Sequence, residues 1–118
     1  MLENYNIYYD LECQYDTRKT FYGKATVHET YQDNVQHMEL LSYDTLAADY
    51  VYYKNENKKV YEYLGKYSQT TSRHQKEFFK QLGLSDKQIK ELFKNGKLEL
   101  ETVIIKDNDL VNNLKEEF

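Results

Sequence analysis

The chain has 118 residues, of which 40% are apolar and 31% charged, and its formal net charge is −4. This length favours one domain, residues 1–118, with a core that holds without disulfides. The single cysteine excludes an intrachain disulfide framework, and the short apolar runs exclude a transmembrane helix and a signal peptide. The sequence therefore predicts a soluble, cytoplasmic protein with no membrane partner.

Charge is unevenly distributed along the chain. Residues 1–50 carry three basic and nine acidic side chains, and residues 51–100 carry eleven basic and six acidic ones. Residues 101–118 are acidic again, with two basic and five acidic side chains. An acidic half favours a basic partner and a basic half favours phosphates, so the pattern indicates binding rather than catalysis.

The first 67 residues are predicted to form strands rich in tyrosine, a residue that suits half-buried pleated sheets. Gly23 interrupts the second strand and predicts a bulge or a close backbone approach, whereas residues 31–34 predict a turn. The predicted strands cover residues 5–11, 20–29, 35–42, 46–53 and 59–67.

The last two of these strands predict the clearest hairpin in the chain, with a polar turn centred on residues 56–57. In that register Tyr52 faces Tyr61, and Tyr50 faces Tyr63. The four rings then share one face of the sheet, because side chains alternate between the two faces along a strand.

The pattern after these strands becomes helical. One helix is predicted over residues 73–82, where His74 begins an apolar stripe at helical spacing. Residues 85–88 have the spacing of a capping box, which predicts a second helix that ends at about Asn95.

A final strand is predicted over residues 98–105, and residues 109–118 predict either a short amphipathic helix or a frayed end. Together the elements predict an α+β fold, in which a mostly antiparallel sheet of five to six strands packs against a pair of helices. Within the domain, residues 1–67 form an acidic strand-rich part, residues 68–96 a basic helical part, and residues 97–118 a strand with a tail.

The sequence contains no motif for catalysis, since its four glycines are isolated and no nucleophile has a partner at a recognised spacing. We therefore expect no enzymatic activity, no cofactor and no metal site. Cys13, His28, His37 and His74 carry donors that suit zinc, but no two lie at a local ligand spacing. Whether they converge on a zinc ion stays open, and His74 on its apolar stripe is more typical of a core histidine.

Three stretches carry distinctive motifs: R-K-T-F-Y-G-K-A at residues 18–25, L-S-Y-D-T-L-A at residues 41–47, and G-K-Y-S-Q-T-T-S-R-H at residues 65–74. They resemble a family of small proteins of unknown function from phages and mobile elements of low-GC Gram-positive bacteria. The resemblance implies a bacterial host cell as the context, and it implies no activity. Asp44 stands where that family usually has Asn, and the segment after Gly83 does not align with it.

Acidic phage proteins of this size, without catalytic motifs, commonly occupy a host protein. We expect a non-catalytic inhibitor of a host defence protein, most specifically a type II anti-CRISPR that blocks DNA binding or loading by a nuclease of the Cas9 class. Carboxylates would cover a basic nucleic-acid groove, and exposed tyrosines would add rigid contact area. The predicted partner-binding residues are Asp10, Glu12, Asp16, Glu29, Asp33, Glu39, Asp49, Tyr50, Tyr52, Tyr61 and Tyr63.

The alternative function is an accessory protein that binds nucleic acid through the lysine-rich helical part. Two short helices joined by a tight turn also describe a helix-turn-helix, although no third helix is predicted beside them. A solvated lysine-rich face is the more ordinary interpretation of the same pattern. The oligomeric state is not predicted. The candidate phosphate-binding residues are Arg73, Lys76, Lys80, Lys87, Lys90 and Lys94.

Overall fold

The structure, a computed structural model, describes residues 3–101 of the chain. The predicted α+β fold is confirmed, because within these residues six strands form one sheet and two helices pack on it. Neither helix within the described residues has the length and apolar composition that crossing a membrane requires. The elements are β1 (Tyr5–Asp10), β2 (Ala25–Gln32), β3 (Val35–Ser42), β4 (Thr45–Tyr53), β5 (Lys58–Tyr63), α1 (Gln69–Gln81), α2 (Asp86–Asn95) and β6 (Lys97–Glu101).

The sheet is a meander in which each strand pairs antiparallel with the next, in the order β1 to β6. Two of its connections are the two-residue turns Asp33-Asn34 and Tyr43-Asp44, whose φ angles are all positive, between 50° and 67°. Positive φ at both central residues defines a type I′ turn, whose twist matches that of the strands it joins. Asp44 fits this position because aspartate, like asparagine, tolerates the left-handed conformation.

The second strand begins five residues later than predicted, at Ala25. Tyr22 and Gly23 adopt φ angles of 54° and 72°, and a backbone hydrogen bond of 3.0 Å closes the turn that they make. The predicted bulge at Gly23 is therefore wrong, since this glycine belongs to a turn before the strand. The strand then continues to Gln32, so that the predicted turn over residues 31–34 keeps only its second half.

The first helix begins four residues earlier than predicted, at Gln69. Ser68 is its N-cap, because its hydroxyl accepts a hydrogen bond of 3.1 Å from the backbone N–H of Thr71. The second helix begins as predicted, with Ser85 and Gln88 in a reciprocal capping box.

The structure describes β6 as far as Glu101. The rest of the strand predicted over residues 98–105 lies outside the described residues. So do residues 109–118, for which a short helix or a frayed end is predicted.

Both helices lie on one face of the sheet, α1 against β3 and β4 and α2 against β5 and β6. The core fills this interface. Phe79 is completely buried in it, and the ring centroids of Tyr61, Phe78 and Phe93 lie within 6.5 Å of its own. We call this side the covered face, which carries Val27, Leu40, Tyr50, Tyr61 and Leu98, and the other side the open face, which carries His28, Glu39, Asp49, Glu62 and Lys97.

The β4–β5 hairpin is shifted by two residues from its predicted register. Tyr50 lies opposite Tyr61, and Tyr52 lies opposite Lys59. The loop over residues 54–57 contains a 3₁₀ turn and ends on a residue with φ 50°, which places the centre of the turn one residue earlier than predicted. The four tyrosine rings still share one face, as predicted, but that face is the covered one.

Candidate functional site

The open face presents a row of polar side chains that runs across the whole sheet. Six residues lie opposite one another on successive strands, in the order Tyr8, His28, Glu39, Asp49, Glu62 and Lys97. Within residues 3–101, the strands direct six carboxylates to this face against two lysines, so the face is acidic. The carboxylates belong to Asp10, Glu39, Asp49, Glu62, Glu99 and Glu101, and the lysines are Lys58 and Lys97.

The seven acidic residues predicted to bind a partner do not form one surface. Asp10, Glu39 and Asp49 lie on the open face. The others are separated from them because successive side chains of a strand point to opposite faces, and because loops turn away from the sheet. Glu12 and Asp16 follow β1, Glu29 lies on the covered face, and Asp33 lies in the β2–β3 turn.

The four tyrosines predicted as partner contacts line the covered face. Tyr50 and Tyr61 are only 5% and 1% exposed, and burial raises the pKa of Tyr61 to about 12. Tyr52 and Tyr63 are half-buried against the same core. The helices cover this side of the sheet, so the buried rings of Tyr50 and Tyr61 stabilise the fold and do not offer contact area. The most exposed tyrosines are Tyr8, Tyr15, Tyr22, Tyr43 and Tyr67.

Two histidines of the open face contact carboxylates on the neighbouring strand. His37 Nε2 lies 2.5 Å from Asp49 Oδ1, and His28 Nδ1 lies 3.0 Å from Glu39 Oε1. The ring of Tyr8 stacks on His28, with 4.1 Å between the ring centroids and 3° between the planes. We call His28, His37, Glu39 and Asp49 the His–carboxylate cluster. Its four members are half-buried in the middle of the sheet.

The four zinc donors considered from the sequence do not converge. His28 and His37 lie on the open face, whereas His74 is buried in α1 beneath the covered face. Cys13 follows β1 and packs against the core, where burial raises the pKa of its thiol. The His–carboxylate cluster was not predicted, because the sequence offers many carboxylates. The signal that identifies it is the strand register that places His28, Glu39 and Asp49 in line.

Glu29 is the centre of a hydrogen-bond network on the covered face, near the edge strand β1. Its carboxylate accepts from Tyr5 Oη at 2.5 Å, from Tyr9 Oη at 2.7 Å and from Gln36 Nε2 at 2.9 Å. Burial opposes its ionisation, but the three hydrogen bonds outweigh burial and lower the pKa of Glu29. Burial and the Glu29 carboxylate together raise the pKa of Tyr5 to about 12. The network therefore links β1, β2 and β3.

Replacing Glu29 by glutamine is expected to lower the free energy of unfolding by about 1–2 kcal/mol at neutral pH, because two tyrosine hydroxyls lose a charged acceptor. The pKa of Glu29 is lower in the folded than in the unfolded protein. The stabilisation that the Glu29 carboxylate gives the folded protein is therefore present above the ordinary carboxyl pKa. It is lost as the pH falls through the pKa of Glu29 in the folded protein. Urea unfolding should show a smaller difference between wild type and variant at about pH 3 than at about pH 7.

The matched control for this prediction is Glu12→Gln, which neutralises an exposed carboxylate on the same edge of the sheet. Its stability should stay within about 0.5 kcal/mol of wild type at both pH values. A difference between Glu29→Gln and wild type that does not change with pH would contradict the proposed charged acceptor.

A groove of about 720 Å³ runs between α1, α2 and residues 15–17. Four of the six candidate phosphate-binding residues line it, namely Arg73, Lys76, Lys80 and Lys90. Lys87 and Lys94 belong to α2 but do not line the groove. The tertiary structure thus brings the basic residues of two helices together in one concave surface.

Carboxylates balance much of the positive charge in this groove. Arg73 pairs with Asp16 at 3.3 Å, and Lys80 pairs with Asp86 at 3.0 Å. The buried carboxylate of Glu77 accepts hydrogen bonds of 2.9 and 2.7 Å from the backbone of the segment after β1. These contacts fix that segment against α1, and they leave the groove less basic than the sequence of its helices suggests.

The three stretches that carry the family resemblance meet around His74. The ring is 1% exposed, and its Nδ1 lies 2.7 Å from Ser42 Oγ, which lies 2.9 Å from Thr71 Oγ1. Phe21 packs against the same ring at 4.5 Å between centroids. Burial lowers the pKa of His74, so that the imidazole is neutral at neutral pH. The prediction of a hydrogen-bonded core histidine is confirmed, and these motif residues join β3 to α1.

A family model matches residues 9–95, and its description is a family of unknown function (DUF8033). The chain therefore belongs to this family. The match includes the three motif stretches and continues through α2, so the segment after Gly83 belongs to the family as far as residue 95. No curated protein and no solved structure matches the chain.

Proposed function

We propose, for this member of a family without an assigned activity, that the protein is a non-catalytic inhibitor that binds a basic surface of a host defence protein. The most specific form of the proposal is a type II anti-CRISPR of phage origin, which acts in the cytoplasm of the bacterial host. It would occupy the nucleic-acid groove of a Cas9-class nuclease and block DNA binding or loading. The acidic open face is the observation that carries this proposal.

The position of the open face supports a role in binding. Both helices pack on the other side of the sheet, so the side chains of the open face reach solvent without disturbing the core. The backbone beneath them is fixed by the pairing of six strands. A rigid surface loses little conformational entropy when it binds, which favours association.

The charge of the open face supports a basic partner. Grooves that bind nucleic acid expose lysine and arginine, and six carboxylates on one rigid surface are complementary to them. Tyr8 is 65% exposed and held flat against His28, which makes it a preorganised aromatic contact. Tyr8 thus offers aromatic contact area on the open face that the buried rings of Tyr50 and Tyr61 do not offer.

The test is binding of the purified protein to guide-loaded Cas9, together with the rate of DNA cleavage, at two salt concentrations. A triple variant, Asp10→Lys, Glu62→Lys and Glu101→Lys, reverses charge on the open face outside the His–carboxylate cluster. We expect it to weaken binding at least about tenfold and to restore cleavage, with a smaller salt dependence than wild type.

The matched control is Glu91→Lys on the exposed surface of α2, which reverses a charge away from the open face. Its binding should stay within about twofold of wild type. Inhibition that survives the triple variant, or that falls equally in the control, would contradict the assignment to the open face. Wild-type protein that does not bind the nuclease at all would reject this partner.

The groove between the helices favours a second candidate, binding of nucleic acid by the lysine-rich part. Lys76 and Lys90 line the groove and are exposed, which suits contact with phosphates. The expected signature is binding to a labelled duplex that weakens steeply with salt and is lost in Lys76→Glu with Lys90→Glu. Binding to the nuclease without binding to free duplex would reject this candidate.

A further inference from the structure

We propose that the open face carries a binding site for a divalent transition-metal ion, with His37, Glu39 and Asp49 as its ligands. The proposal goes beyond the inhibitor function and does not depend on it, because the site is formed within one chain and is tested without a partner. It replaces the sequence-based expectation of no metal site, and of the four zinc donors considered there it uses only His37 as a ligand.

The three ligands are placed by the sheet. His37 and Glu39 are two residues apart on β3 and therefore share a face, and Asp49 lies directly opposite Glu39 on β4. One donor atom from each, an imidazole nitrogen or a carboxylate oxygen, lies within 4.8 Å of the other two. Ligands at 2.0–2.2 Å from a tetrahedral ion are about 3.4 Å apart, so small side-chain rotations bring all three to one ion.

The surroundings of the ligands form an ordered outer shell. His28 Nδ1 contacts Glu39 Oε1 at 3.0 Å, which holds the carboxylate in place and leaves its second oxygen for an ion. His28 is itself fixed by Asn6 Oδ1, at 2.8 Å from its Nε2, and by the stacked ring of Tyr8. Hydrogen bonds to ligating carboxylates of this kind are typical of metal sites, and they make His28 a positioning residue.

The chemistry of the donors selects the class of ion. Imidazole together with carboxylate suits zinc and its neighbours in the first transition row, whereas magnesium and calcium prefer oxygen ligands alone. The cluster contains no thiolate, which disfavours copper(I) and iron–sulfur clusters. A bound ion would take the place of the contact between His37 Nε2 and Asp49 Oδ1, which lie 2.5 Å apart.

The experiment is calorimetric titration of the full chain, without a histidine tag, with Zn²⁺, followed by the visible absorption of bound Co²⁺. We expect one ion per chain, and a loss of affinity of at least about 100-fold in His37→Ala and in Asp49→Asn. His28→Gln should weaken Zn²⁺ binding by about 10–100-fold. The thermal stability of His28→Gln in the presence of a chelator should equal that of wild type. This result would show that His28 positions Glu39 and is not needed for folding.

The matched control is Glu99→Gln, which removes a carboxylate from the same face outside the cluster. Its Zn²⁺ affinity should stay within about twofold of wild type, because Glu99 is held by Lys58 and Lys97. Three outcomes would overturn the proposal: no saturable binding of Zn²⁺ by wild type, binding unchanged in both ligand variants, or an equal loss in Glu99→Gln. Binding of Mg²⁺ as tight as that of Zn²⁺ would also overturn it.

Discussion

Replacing Phe79 by alanine is expected to lower the free energy of unfolding by about 3–5 kcal/mol, which is a large part of the stability of a domain of this size. Phe79 is completely buried where both helices meet the sheet. Its ring packs edge-on against Tyr61 and Phe93, so truncation leaves a cavity bounded by rings that cannot all move inward. The measurement is urea unfolding followed by circular dichroism.

Two further variants keep this prediction testable if the alanine variant does not fold. Phe79→Leu retains most of the volume and should cost less than Phe79→Ala. Tyr67→Ala removes an aromatic ring that is 53% exposed and should change stability by about 0.5 kcal/mol or less. Equal costs for Phe79→Leu and Tyr67→Ala would contradict the position of Phe79 at the centre of the core.

Replacing His74 by alanine is expected to cost about 2–4 kcal/mol. The substitution opens a cavity beside Phe21, and it removes one of the two hydrogen-bond partners of the buried Ser42 hydroxyl, which keeps Thr71 as the other. The loss of this buried hydrogen bond adds to the cost of the cavity. Unfolding in urea at neutral pH measures the loss.

The same residue should make stability depend on pH. Because burial lowers the pKa of His74 in the folded protein, the unfolded chain binds a proton at a higher pH than the folded one. Stability is then lost as the pH falls below about 6.5, the pKa of the histidine in the unfolded chain, and towards its lower pKa in the folded protein. His74→Phe, which has a ring that does not titrate, should lose less stability than wild type between about pH 7.5 and about pH 5.

The comparison between wild type and His74→Phe isolates this residue, since His28 and His37 are present in both proteins. Identical slopes of stability against pH would contradict a buried, neutral His74. A steeper slope in the variant would reverse the sign of the effect and would place a stabilising charge on the native imidazole.

The two faces of the sheet differ in their roles, since one is important for stability and the other is proposed to bind. The covered face holds the core, the Glu29 network and the contacts of His74, and these account for its stability. The open face holds the carboxylates and the His–carboxylate cluster, whose described residues lie outside the buried core. Substitutions on the open face should therefore change binding with little effect on folding, which makes both proposals testable in folded protein.

The sequence by itself determined the local structure and the fold class. Alternating tyrosine and aliphatic residues predicted the strands, and the capping box at Ser85 predicted the start of α2. Both signals depend on neighbours within a few residues, so no knowledge of distant contacts was needed. The start of β2 was missed because Tyr22, a residue with strong strand preference, adopts a positive φ that local propensity does not reveal.

Only the tertiary structure decided which residues meet. The hairpin register depends on the conformation of residues 54–57, and a shift of two residues changes every cross-strand pair while the faces stay the same. Which face of the sheet is buried depends on where the helices pack, and this placed Tyr50 and Tyr61 in the core. His28, Glu39 and Asp49 lie on three different strands, and only the pairing of those strands brings the three residues together.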